Sequence, residues 1–113
     1  MQQIAPTLYI AQAGEKVTIE VQATKVGLFV FLSHNSALVP PTTTSPLVFD
    51  ITIAGASGGF DFAVVSCHFP AGAPADASYQ LFLTGSAGGG RFTDSKIQAG
   101  DAVWDRDLTF KVA

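Results

Sequence analysis

The stretch Lys16–Ala23, "KVTIEVQA", decides the fold class. Val17, Ile19, Val21 and Ala23 alternate with Thr18, Glu20 and Gln22, the period of two with which a strand buries one face and wets the other. The pattern recurs along the chain. In "SPLVFDITIAG" (45–55), Leu47, Phe49, Ile51 and Ile53 share one face, with Asp50 and Thr52 opposite. Tyr79, Leu81 and Leu83 line one side of "SYQLFLTG" (78–85), and Leu108, Phe110 and Val112 one side of "RDLTFKVA" (106–113). No run of comparable strength has the 3.6-residue period of a helix.

Between these runs lie "AQAGEK", "HNSALVPPTTTSP", "AGASGG", "FPAGAPADA", "GSAGGG" and "QAGD". Glycine permits positive φ and proline removes a backbone donor, so such segments punctuate strands. With "TLYIA" (7–11) added, the count is about seven or eight strands, the signature of a single antiparallel β-sandwich, jelly-roll or immunoglobulin-like. A barrel is the alternative closure. A parallel α/β fold is excluded, because no strand–helix alternation is present. The whole chain, 1–113, reads as one domain.

Composition narrows the partners. Hydrophobic residues make up 48% of the 113 and charged residues only 13%, so little polar surface is available to cover the outside. The net charge is −3, and Lys16, Lys25, Arg91, Lys96, Arg106 and Lys111 are scattered. Nucleic acid calls for a clustered positive face, so it is not an expected partner. No apolar stretch approaches the ~20 residues that span a bilayer. The opening "MQQIAPTLYI" lacks a basic-then-apolar leader, which fits a cytoplasmic chain or a secreted one given without its leader. Cys67 is the one cysteine and makes no internal disulfide.

The segment "YQLFLTGSAGGGRF" (79–92) approaches the spacing of a phosphate-cradling loop, with Gly85 and Gly90 after a strand. Such a loop needs a lysine, a hydroxyl residue and a following helix. Arg91 and Phe92 stand in those two places and Gly100 ends any helix early, so the segment reads as a turn. The similar "ITIAGASGGFDF" (51–62) reads as a second hairpin solving the same turn problem.

Candidate chemistry is sparse. Cys67 and His68 are adjacent, and neighbours on a strand point to opposite faces, so they cannot act as nucleophile and base. His34, the other histidine, ends "LFVFLSHN". Too few histidines and cysteines are present for a zinc signature, and no enzyme is read from the chain. Near the C-terminus lies an acidic set, Asp94 and then Asp101, Asp105 and Asp107, the last three around Trp104 in "GDAVWDRD", which reads as a loop at one end of the scaffold. An indole face beside carboxylates suits a sugar, through stacking on C–H faces and acceptance of hydroxyl hydrogen bonds. The three aspartates also offer oxygens of the kind calcium takes, so calcium is the one cofactor to consider. The competing reading is that Trp104 caps one end of the core, with the aspartates solvated or paired with Arg106.

Two runs lack a polar face. "GLFVFLS" (27–33) carries Leu28 to Leu32 unbroken, and "GFDFAVVSCHF" (59–69) is interrupted only by Asp61 and Ser66 before His68. Either Phe29 and Phe31 or the alternate set Leu28, Val30 and Leu32 must be covered from outside the core. The cover is the loop "ALVPPTTTSPL", a hydrophobic ligand or a second copy of the chain, with Phe29, Phe31 and Phe62 as interface residues.

In strand count and turn composition the chain resembles the small sandwich modules that bacteria attach to enzymes or use as lectins. No motif carries that resemblance, and no residue role is transferred from it. The expected function is a non-catalytic, lectin-like binding module, oligomeric, with glycan as ligand. The alternative is a self-assembly protein built on its apolar strand faces.

Overall fold

The computed structural model describes residues 1–27, 29–94, 97–98 and 103–113. In chain order its strands are β1 (Gln2–Ala5), β2 (Leu8–Ala11), β3 (Lys16–Thr24), β4 (Val30–His34), β5 (Ala37–Val39) and β6 (Thr43–Thr44), then β7 (Leu47–Thr52), β8 (Phe60–His68), β9 (Ser78–Gly85), β10 (Arg91–Thr93), β11 (Ile97–Gln98) and β12 (Val103–Val112). Among the described residues there is no helix.

The strands form two packed sheets. The first runs β1–β2–β12–β8–β4–β5, and the second β10–β9–β3–β7–β6 with β11 also on β9. Every pairing is antiparallel except β2 with β12, where Leu8–Ala11 run parallel to Thr109–Val112. The alternation read from the sequence sets the facing. Val17, Ile19, Phe49, Leu81 and Leu83 of the second sheet meet Leu32, Val65, Cys67, Leu108 and Phe110 of the first, all essentially inaccessible to water. Each such large side chain contributes about 1.5–3 kcal/mol on burial.

The strands outnumber those expected because β1, β5, β6, β10 and β11 are short and lie at or near sheet edges, in segments whose composition is that of turns. Short edge strands limit pairing with foreign chains. The two similar glycine segments also differ in topology. Gly85–Gly90 closes a hairpin, with Arg91 opposite Thr84. Residues 53–59 instead carry the chain from the second sheet to the first, so the expected second hairpin is a crossover.

That crossover is fixed by Asp61, which is fully buried. Its Oδ2 accepts from Ala54 N at 2.8 Å and its Oδ1 from Gly55 N at 2.7 Å, while His34 Nε2 lies 2.6 Å from Oδ2. A Cβ on Gly55 would stand 2.8 Å from that carboxylate and 2.9 Å from Val112, so only glycine fits there. Burial alone raises the Asp61 carboxyl, but the donors from Ala54, His34 and Gly55 outweigh it and hold the group below its ordinary value.

A second buried carboxylate, Glu15, lies beside the same crossover, its backbone carbonyl accepting from Ile53 N at 2.9 Å. It accepts from the amides of Gln12 and Ala87 and from the Met1 ammonium, at 3.0 Å in the last case. The Met1 ammonium also donates to Gly88 O. The glycine turn wraps this arrangement: a Cβ on Gly85 would meet Glu15 at 2.0 Å, and one on Gly89 would meet Met1 O at 1.9 Å. Burial pushes Glu15 up, and its amide and ammonium donors bring it below the ordinary carboxylate value.

A carboxyl with a lowered native value stabilises the fold above its unfolded value and loses that contribution as pH falls through the native one. Resistance to urea is therefore expected to be flat between pH 7 and about 5 and to decline below about pH 4. Asp61→Asn is expected to cost about 2–4 kcal/mol at pH 7, since it strands a donor or leaves amides unpaired. Urea titrations of both chains across pH check the pair; an unchanged midpoint for the variant would remove Asp61 from this role.

Candidate functional site

Trp104, Asp105 and Asp107 lie on a strand, not on a loop. β12 begins at Val103, paired opposite His68, and the ladder continues unbroken to Lys111 opposite Phe60. Alternation then divides the predicted cluster. Trp104 and Arg106 turn inward, half-buried, and Trp104 packs against the core. Asp105 and Asp107 turn outward and are exposed. Asp101 lies outside the described residues. The guanidinium of Arg106 stands 5.6 Å from the Trp104 ring centroid and makes a two-pronged hydrogen bond to the buried Asp94. The described carboxylates of the predicted sugar or calcium cluster thus do not converge with the indole. No group of three or more metal-ligating side chains occurs among the described residues.

The remaining polar candidates are held in structure as well. Cys67 is inaccessible, and burial, with a smaller contribution from Asp105, pushes its thiol up to about 12. His68 points the other way, edge-on to Phe31 at 5.8 Å. His34 meets Asp61, a pairing that the sequence conceals because 27 residues separate them. Tyr9 is buried between Phe92 and Phe110, and burial followed by the nearby Asp94 pushes its phenol up to about 12.

What distinguishes the molecule is the contrast between its two outer faces. The second sheet presents Lys16, Thr18, Glu20 and Gln22 on β3 beside Asp50, Thr52, Gln80 and Thr84. Thr18 donates to Asp50 at 2.7 Å, Arg91 pairs with Glu20 at 2.8 Å, and the Arg91 guanidinium covers Phe82 at 3.9 Å. This face is polar, and its one aromatic ring has a cover.

The outer face of the first sheet is apolar. Phe31 and Phe62 are each 55% exposed and Leu38 75%, with Phe29, Phe60 and Val103 similarly open. Phe60 and Phe62 stack at 6.3 Å along β8. Strand register explains why these side chains point out. Leu32 sits opposite Val65 and Val30 opposite Cys67, so the Leu32 set fills the core and Phe31 is left opposite Ser66 on the outside. Leu28, of the same predicted set, lies outside the described residues. Tyr79 fixes the start of this strand: its hydroxyl donates to Gly27 O and receives Phe29 N at 3.3 Å.

The loop "ALVPPTTTSPL", one of the three candidate covers, leaves the aromatics exposed. Thr43 and Thr44 pair with β7 at the edge of the second sheet, drawing the chain away. Of that loop, Leu38, Val39, Pro40 and Pro41 line, with Val30, Phe31 and Phe49, an open apolar cleft of about 350 Å³.

Placement of Cys67 on the inner face gives a chemical test. Its thiol is expected to resist a disulfide labelling reagent at pH 8 in the folded protein and to react fully in 8 M urea, since labelling requires the thiolate. Rapid labelling without denaturant would place the inner face of β8 elsewhere.

Set beside known proteins, the chain matches no family model, no curated protein and no solved structure.

Proposed function

We propose that the protein is a non-catalytic assembly subunit that associates with a second copy of itself through the outer face of its first sheet. In this reading the two packed sheets form one sandwich domain of jelly-roll or immunoglobulin-like character. The observation that carries it is the asymmetry between a polar outer face with its one ring covered and an apolar face with four half-open phenylalanines.

Area supports a second copy as the cover. At about 200 Å² for a phenylalanine, the exposed parts of Phe29, Phe31, Leu38, Phe60, Phe62 and Val103 come to roughly 600 Å². That is about a tenth of the total 5732 Å² surface. A standard interface buries about 800 Å² and about a tenth of the surface on each partner. Charge argues against a lipid surface, because β12's outer side carries Asp105 and Asp107 against Lys111, and the chain is net −3. Glycan binding at Trp104 is the leading expectation from the sequence. It has no converging set of described side chains behind it, so assembly is the function put forward.

Sedimentation equilibrium across a wide concentration range tests this directly. The parent is expected to dimerise or assemble further. Phe31→Ser is expected to weaken the association by roughly 100-fold, because a two-fold interface loses about 1.5 kcal/mol or more on each side. A parent that stays monomeric at high concentration defeats the proposal.

A further inference from the structure

The outer face of the first sheet carries its charges on one strand. Asp105 and Asp107 lie near the start of β12 and Lys111 near its end, opposite Ser66, Val64 and Phe60 of β8. The neighbouring outer positions on β2, β8 and β4 are Leu8, Ile10, Phe60, Phe62, Val64, Ser66, His68, Phe31 and Ser33, none of them a carboxylate or an amine. Neither Asp105, Asp107 nor Lys111 forms an ion pair with a described residue. The face is thus an apolar field with a negative pole and a positive pole, about 13–20 Å apart at ~3.3 Å per residue.

From these poles we infer that the two copies meet face to face about a two-fold axis perpendicular to β12, so that Lys111 of each copy lies against Asp105 and Asp107 of the other. The inference rests on the self-association reading and adds its orientation. Charges entering an apolar interface must be paired, or their desolvation opposes association. Face-to-face packing offers two simple two-fold arrangements. With the axis along β12, each strand overlies its own copy in the same direction, and carboxylates meet carboxylates. With the axis across β12, the strand is reversed on its copy, and each pole meets its complement.

The reversed arrangement fixes further geometry. The midpoint between the poles falls at Leu108 and Thr109, and Thr109 is opposite Phe62 on β8. Phe62 is therefore close to the axis, beside its own counterpart. The Phe29–Phe31 end of one face then lies toward the Phe60 end of the other. Sheets that pack face to face within about 30° of alignment satisfy this disposition.

Charge exchange tests the orientation. Lys111→Asp alone and Asp105→Lys with Asp107→Lys are each expected to weaken self-association at least about tenfold, by removing the cross-copy pairs and opposing like charges. Mixing the two variants is expected to restore association to near the parent level, since one chain then carries only carboxylates at the poles and the other only amines. Both variants alter exposed side chains, and recovery on mixing demonstrates that each is folded. If the parent assembles and loses assembly on Phe31→Ser, but neither charge variant alone is weaker than the parent, the orientation is overturned while the apolar interface stands, since with the axis along β12 like charges already face each other in the parent. A monomeric parent overturns both.

Discussion

A single buried carboxylate sets the frame on which the rest of this molecule is built. Asp61 accepts two amides from the crossover between the sheets and lies against His34 of a neighbouring strand, so it ties three segments at one point. Because it sits inside β8, it also fixes which residues of that strand face inward. Ala63, Val65 and Cys67 follow it into the core, and Phe60 and Phe62 are left outside. A slip by one residue would place the carboxylate in water and the phenylalanines between the sheets. The outward aromatic face is therefore a consequence of keeping one charged group dry and fully hydrogen-bonded.

The all-β class and most of the core could be read from alternation alone. Val17, Ile19, Val21, Phe49, Ile51, Leu81, Leu83, Leu108, Phe110 and Val112 are all buried on the expected sides, because a half-buried strand leaves a period of two in the sequence. The exposed phenylalanines could be anticipated too, since two strands without a polar face leave more apolar surface than a core can take. What periodicity could not supply was pairing across distance. Nothing near Asp61 in sequence indicates that its partner is His34, and nothing near Glu15 indicates the Met1 ammonium. The division of Trp104 from Asp105 was legible in principle. Only the assignment of "GDAVWDRD" to a loop hid it, because the aspartates and the glycine there resemble turn composition while β8 recruits the segment from Val103 onward into a ladder.

The two outer faces show how few charges such a chain needs when they are well placed. On the second sheet, Arg91 neutralises Glu20 and covers Phe82 with one side chain. On the first, charge is confined to the two ends of β12, and the area between is left to apolar side chains. A low charged fraction is thus unevenly spent: one face is finished for water, and the other is finished only by contact.

The parallel alignment of β2 with β12 has a consequence for how the chain reaches this state. Residues 8–11 find their ladder partners only at 109–112, far along the chain. The first hairpin, β1–β2, therefore has no neighbour in its sheet until the last strand exists. The loop-closure entropy of such distant pairing belongs to slow-folding topologies. Until then β8 has one side unoccupied, in the same sheet that carries the open phenylalanines. The chain is thus most adhesive before β12 docks, which makes the order of strand docking as consequential for this protein as its final contacts.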